Sequence, residues 1–419
     1  MKLSCYGNSY TGYSGIVDLM EDLDSALREN PAMLMMGGGT PARIPAAETL
    51  YRTHLQAILA DPEQSHTLLG RYQGPLGDLA PRVALADMLR AEYGWQLSAD
   101  NIAITNGGQS AFGILANMLA GPDADGNSRV LRFPLVPEYL GYSDIGHASP
   151  FFRADKPRIE TLADGLFKYR VDFDNLHLGA DSAALCASRP TNPSGNVLGD
   201  AEVAGLDALA REQGIPLILD CAYGQPFPAL EYGNTTPYWS DNTIVLLSLS
   251  KVGLPGLRSG FLVANETLAQ AFATVNTILN LASGNPGPML AARLLRSGEL
   301  LQLSREVLRP WYRERLALAL DCLRTALHDV PCHIHKPEGA YFLWLWFPGL
   351  PGGSQLLYQR LKAAGVLVIP GDSCFPGIDS DWTHTRECIR LSYAIPEEQL
   401  RAAAPIIARI VRELYAQGG

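Results

Sequence analysis

Three short stretches of this 419-residue chain carry side chains whose types and spacing could do chemistry. Lys251 follows the apolar run Thr243–Leu249 and stands in Ser248-Leu249-Ser250-Lys251, with Arg258 just beyond Leu254-Pro255-Gly256-Leu257. Most lysines are solvated surface residues. At the end of an apolar strand, burial penalises the ammonium form, lowers its pKa and frees the amine for imine formation. Arg258 and the serine hydroxyls add donors that suit a phosphate. Asp220 closes the run Ile215–Leu219. A carboxylate there either caps the following turn or serves as counter-ion to a protonated pyridine nitrogen. The turn Thr105-Asn106-Gly107-Gly108-Gln109-Ser110 precedes a helical run, so its amides point out of a helix N-terminus and favour a phosphate. It reads equally as an ordinary strand–helix turn, because it is neither a GxGxxG nor a Walker pattern.

The elements that must position these groups alternate. Apolar runs at 101–105, 128–135, 183–188, 215–219 and 243–249 read as strands, and helical spacing is found at 16–28, 79–94, the segment behind Gly108, and 200–213. Strands alternating with helices imply a mostly parallel sheet covered on both faces, and the near-continuous apolar strands agree. In such sheets ligands bind beyond the carboxyl ends of the strands. Gly108, Asn192, Asp220 and Ser248 to Lys251 all fall there, so one sheet edge gathers them. A long helical region over 288–328, shorter strand-like pieces at 340–347, 366–369 and 388–393, and a terminal helix at 397–416 indicate a second, smaller α+β unit.

Composition narrows the classes. Hydrophobic residues make up 47% and charged residues 18%, ordinary for a globular protein of two or three domains. A net charge of -10 argues against nucleic acid and anionic membranes as partners. The start lacks the apolar stretch of a signal peptide, and no run approaches a membrane span. Seven cysteines, odd in number and without a CxxC pair, fit a reducing cytoplasm better than a disulfide framework or zinc cluster. His333-Ile334-His335 alternates like a strand and reads as structural rather than as a metal site, so no metal is expected. Trp344 and Trp346 read as core.

Four ordered blocks, RPTNPSG (189–195), DCAYGQPF (220–227), SLSKVGLPGLRSG (248–260) and CIRLSY (388–393), resemble the class I/II, fold-type I, pyridoxal-phosphate-dependent aminotransferases over essentially the whole chain. The resemblance implies an α/β fold: a mostly parallel, seven-stranded-type sheet sandwiched by helices, with a smaller α+β domain built from both chain ends. Residues 1–45 would form an N-terminal arm and part of the small domain, 46–305 the large cofactor-binding domain, and 306–419 the C-terminal small domain. The implied cofactor is pyridoxal 5'-phosphate. Lys251 would hold it as a Schiff base and shuttle the proton; Asp220 would pair with the ring nitrogen. Asn192 and Tyr223 would bond its phenolic oxygen, and Tyr139 would stack on the ring. Gly108 and Gln109 amides, Ser248 and Arg258 would hold the phosphate. Tyr72 matches a tyrosine that reaches a neighbouring subunit's phosphate, which implies a homodimer with active sites at the interface. Arg390 would grip the substrate α-carboxylate, and Gly39 lies in the loop over the substrate.

MMGGGTPARIP, RFPLVPEYLGY, SRPTNPSGNV and HKPEGAYFLWLWF resemble, more narrowly, the bacterial valine–pyruvate aminotransferases. That implies amino-acid and 2-oxo-acid substrates: valine and pyruvate giving 3-methyl-2-oxobutanoate and alanine by ping-pong transfer. Two departures stand out. Gly107-Gly108 replaces a more usual Gly-Ser, removing one hydroxyl donor, and Cys221 follows Asp220 where relatives carry Glu or Asn. Cys221 and Cys374 are expected to be packed thiols. Competing readings are transfer from other small or aromatic amino acids, a cofactor-dependent lyase, and a transcriptional regulator on the same fold. The regulator would need a DNA-binding domain ahead of the glycine turn, where only about 40 residues stand.

Overall fold

The computed structural model describes all residues except Met1, Cys5, Tyr6, Ser9, Tyr13, Ala148, Ser149, Asp379, Ser380 and Gly419; Cys5 therefore lies outside the described residues. The chain opens with helix α1 (Gly15–Glu29), capped by Ser14, whose hydroxyl accepts from the Val17 amide. The central sheet is built from β1 (Ile102–Thr105), which leads into α2 (Gly108–Leu119), then β2 (Ser128–Phe133), β3 (Ser182–Ser188), β4 (Leu217–Asp220), β5 (Thr243–Ser248) and β6 (Gly260–Val263). Their order across the sheet is β1-β6-β5-β4-β3-β2, with Phe152–Ala154 and the two-residue strand Gly121–Pro122 along the outer edge of β2. Seven strands were expected, and Gly121–Pro122 makes the eighth.

From β5 through β2 the strands run parallel, while β6 runs antiparallel to both β5 and β1. Every residue of β1, β3, β5 and β6 is buried. That explains why these strands read as unbroken apolar runs: helices cover both faces, and neither alternates toward water. The parallel strands deliver their carboxyl ends to one edge, where Ser188, Asp220 and Ser248 stand, and Ser188 and Asp220 are register partners.

A second sheet has six strands: Ile369–Pro370, then β9 (Cys388–Ser392), β8 (Phe342–Trp346), β7 (His333–His335), Leu166–Arg170 and Arg158–Thr161. The last two lie within 46–305 by sequence, yet Leu166 and Phe167 pair with Ile334 and His335 of β7. β7 is only three residues long and gains a partner on its free edge, while Phe167 and Tyr169 enter the core. The N-terminal stretch contributes as well, through Leu34–Met35 pairing with Val366–Leu367. The small unit thus draws on an inner stretch of chain in addition to both ends. His335 is buried there, its Nε2 accepting the Tyr169 amide, and Trp344 donates its indole N–H to the Tyr169 hydroxyl. No helix among the described residues is long and apolar enough to cross a membrane.

Candidate active site

The strand ends open onto a cavity of about 530 Å³ lined by Gly39, Gly108, Gln109, Tyr139, Asn192, Asp220, Tyr223, Ser248, Lys251, Arg258 and Arg390. Eleven of the twelve site residues expected from sequence are therefore in one place. Tyr72 is not: it is 78% exposed and does not line this cavity.

Lys251 sits in the single turn Ser250–Val252 that follows β5. Its Nζ donates to the Gly39 carbonyl at 2.8 Å and lies 5.2 Å from the centre of the Tyr223 ring. Burial, reinforced by the positive charges of Arg390 and Arg258 against the opposing pull of Asp220, lowers the amine to about 8. A neutral amine is thus accessible near neutrality, which a nucleophilic lysine requires. Sequence reasoning did not find Tyr341, whose hydroxyl donates to the same Gly39 carbonyl at 2.7 Å.

Asp220 ends β4 with one oxygen accepting the Ala222 amide at 2.8 Å and the other accepting the Tyr142 hydroxyl at 2.5 Å. Burial raises its pKa, while these two donors and Lys251 pull the other way. The turn-capping reading holds, since Oδ1 caps the turn, and the carboxylate also lines the cavity, where a counter-ion would have to stand. Tyr142 is a second residue missed from sequence. It is buried, stacked on Phe112 with ring centres 3.9 Å apart, and fixed 78 residues from the acid it contacts. Glu138 is a third. It is 1% exposed; its Oε1 accepts the Ser188 amide at 2.8 Å and its Oε2 lies 2.6 Å from Ser188 Oγ.

The opposite end of the cavity is rich in donors. Gly107 has φ +90°, and a Cβ there would stand 2.8 Å from an Arg258 guanidinium nitrogen, so a glycine lets the arginine lie against the turn. Behind it α2 begins, presenting the Gly108 and Gln109 amides; the Gln109 side chain is turned away, donating to the Gly141 carbonyl. Arg258 makes only long contacts, 3.4 Å to Ser250 Oγ and 3.3 Å to the Pro255 carbonyl. Ser248 Oγ accepts from the Ser250 amide, which leaves its own hydrogen to donate. Helix-terminal amides, two hydroxyls and a loosely engaged guanidinium form a set that fits a phosphate dianion. With Lys251 and Asp220 across the cavity, the residues fit pyridoxal phosphate.

Arg390, on β9, is buried beside the Phe342 ring, donating to Asn192 Oδ1 at 2.6 Å and to the Gly37 carbonyl at 2.7 Å. Its Nε has no partner. A buried cation without a carboxylate partner among the described residues is a receptor for an anionic group. α1 adds an apolar patch, Ile16, Leu19, Met20 and Leu23, with Asp24 of the same helix and Thr40 also lining the cavity. Cys221 and Cys374 are buried thiols, and burial pushes Cys374 up to about 12; both are packed rather than reactive. Among the described residues, no group of three or more His, Cys, Asp or Glu is placed to hold a metal ion.

Known proteins resemble this chain in sequence and fold. The family model for aminotransferase class I and II matches residues 45–407. A valine–pyruvate aminotransferase of Escherichia coli K12 is 44% identical over 417 residues, covering 100% of both chains. The crystal structure of a putative amino-acid aminotransferase from Psychrobacter arcticum superposes with a TM-score of 0.96 at 41% identity, over 99% of each chain. That of a valine–pyruvate aminotransferase from Salmonella typhimurium LT2 gives 0.88 at 43% identity, over 96% of this chain and 100% of the other.

Proposed function

The chain belongs to the class I and II aminotransferases, and from that premise we propose that it moves the amino group of valine to pyruvate, yielding 3-methyl-2-oxobutanoate and alanine. The observation that carries this reading is the placing of Lys251, Asp220 and Arg390 around one cavity to which Ile16, Leu19, Met20 and Leu23 add an aliphatic patch. When bound, pyridoxal phosphate supplies an aldehyde that captures amines and a ring that accepts the electron pair left when a Cα proton departs.

The chain's own groups do the rest. Arg390, with Asn192 at its side, binds the carboxylate that valine, pyruvate and both products share, so donor and acceptor use one site in turn. Lys251, with its amine lowered to about 8 by burial, would hold the cofactor through its neutral amine and hold or move a proton at Nζ. Asp220, supported by the Tyr142 hydroxyl, places negative charge opposite a protonated ring nitrogen. The Gly108 and Gln109 amides, Ser248 and Arg258 would hold the phosphate, Tyr139 would stack on the ring, and Asn192 and Tyr223 would bond its phenolic oxygen. α1 presents Ile16, Leu19, Met20 and Leu23 to the cavity, which favours an isopropyl group, and Asp24 beside them disfavours an anionic side chain.

Exposed Tyr72, with Leu69, Ile278, Leu279 and Leu281 also exposed, supports a homodimer in which Tyr72 reaches the neighbouring phosphate. A cytoplasmic setting fits the six described cysteines, all free. The test is a two-substrate assay with valine and pyruvate: parallel double-reciprocal lines and stoichiometric alanine are expected. Release of ammonia in place of alanine would make the protein a lyase and overturn the reading.

A further inference from the structure

Glu138 lies beneath the cavity, next in sequence to Tyr139, and nothing in the transfer chemistry above uses it. It is fully buried, and its backbone amide donates to the Cys374 carbonyl at 2.8 Å. Among the described residues no lysine, arginine or histidine pairs with its carboxyl. The titratable groups that face it are Asp220 on β4, Cys186 on β3, Cys374, and Tyr139 and Tyr142 of its own loop. From its carboxyl a line of polar groups runs to the cavity. Glu138 Oε2 is 2.6 Å from Ser188 Oγ; the Ser188 side chain acts on the Tyr142 hydroxyl; that hydroxyl meets Asp220 Oδ2 at 2.5 Å.

We infer that Glu138 is a neutral carboxylic acid that donates to Ser188 and, through Ser188 and Tyr142, orients the donor on Asp220, so that the one negative charge of this acid pair resides on the member facing the cavity. Glu138 is thus a positioning residue for Asp220, and the inference rests on the role given to Asp220 above. Hydrogen counting supports it. With Glu138 protonated, its O–H donates to Ser188 Oγ, the Ser188 O–H to Tyr142, and the Tyr142 O–H to Asp220, so that each hydroxyl accepts once and donates once. With Glu138 ionised, the Ser188 hydrogen turns back to Glu138, Tyr142 loses a donor, and a second buried anion stands near Asp220 with no cation of its own. Like charges held this close do not both ionise. Burial and the neighbouring Asp220 push the Glu138 carboxyl up to about 8 against the pull of the Ser188 donors, in agreement with the geometry.

Infrared spectroscopy of the full-length protein, with and without cofactor, reads the protonation directly. At neutral pH the wild type is expected to show the carbonyl stretch of a protonated carboxyl group that disappears in Glu138→Gln, in both forms. Absence of such a band overturns the inference. The second measurement is cofactor release and the pH titration of the bound cofactor's absorbance. Glu138→Gln keeps a donor and an acceptor in place, so both properties stay within about twofold of wild type. Glu138→Leu leaves Ser188 unpaired and hastens release by about ten- to a hundredfold, the range for an unmade buried hydrogen bond. Should Glu138→Leu fail to fold, Ser188→Ala breaks the same line from the other side and is expected to hasten release in the same way. A Glu138→Gln protein that behaves like these truncations overturns the inference. Loss of valine–pyruvate transfer with the infrared band intact would instead count against the proposed activity alone.

Discussion

Arg390 and Asn192 lie 198 residues apart in sequence, and the buried guanidinium donates to the amide oxygen at 2.6 Å in the wall of the cavity. The contact leaves the planar fork fixed in place and without a carboxylate partner, so binding an α-carboxylate costs little reorganisation. Arg390→Lys keeps the charge and loses the fork. A charge-assisted hydrogen bond contributes about 1.5–3 kcal/mol, so kcat/KM for valine and for pyruvate are both expected to fall by about one to two orders of magnitude. Steady-state kinetics on each substrate check this. A loss confined to one substrate would mean that the two do not share Arg390.

Lys251 carries two consequences. Borohydride reduction of the cofactor-loaded protein followed by peptide mapping is expected to place the pyridoxyl group on Lys251 and on no other lysine. Lys251→Ala is expected to abolish transfer while leaving the fold intact.

The depressed pKa of Lys251 also links stability to pH. Its usual value is 10.5 and burial brings it to about 8. Between these values the unfolded chain holds a proton that the folded chain has released, so raising the pH favours the fold. In cofactor-free protein this contributes up to about 3 kcal/mol across that window. Lys251→Met lacks the contribution. Denaturant unfolding of both proteins from about pH 8 to 10.5 should show the wild type gaining on the variant. Coincident pH slopes would remove the buried amine as the cause.

These predictions draw on features of unequal visibility in the sequence. Lys251, Asp220 and Gly108 were legible because strand ends and glycine turns leave local patterns, and the parallel sheet then fixes where they meet. Arg390 came through its motif alone. Tyr142, Glu138 and Tyr341 were not legible, because each acts through a contact made only after folding: Tyr142 with an acid 78 residues away, Tyr341 with a carbonyl 302 residues away. The antiparallel β6 and the pairing of Leu166–Arg170 with β7 were hidden for a related reason. An apolar run states burial; it does not state direction or partner.

Tyr142→Phe tests the support given to Asp220. The ring keeps its stack on Phe112, so only the hydroxyl is lost. Removing a hydrogen bond to a charged group corresponds to about 1.5–3 kcal/mol, and transfer is expected to slow by about ten- to a hundredfold with little change in KM. Asp220→Asn removes the charge itself and should cost about 10²–10³ in kcat, the range for one preorganised electrostatic group. A Tyr142→Phe enzyme as fast as wild type would mean that Asp220 needs no second donor.

α1 is the wall most open to change. Ala26 is its one fully buried residue, and the helix is tied to the rest by few contacts: Ser14 to Asp144 at 2.6 Å and Asp22 to Lys362 at 2.7 Å. Its apolar face nevertheless lines the cavity and offers an aliphatic surface to a substrate side chain. Leu19 lines that cavity and packs against the main core. Leu19→Ala therefore enlarges the space for the side chain without touching a charged group. One methylene in an apolar pocket separates substrates by about 10–200-fold. The ratio of kcat/KM for leucine over valine is accordingly expected to rise by about tenfold, with KM for pyruvate nearly unchanged because its methyl group does not reach the helix. Equal losses on valine, leucine and pyruvate would show instead that α1 only holds the site shut, and that the preference for a branched side chain is set elsewhere.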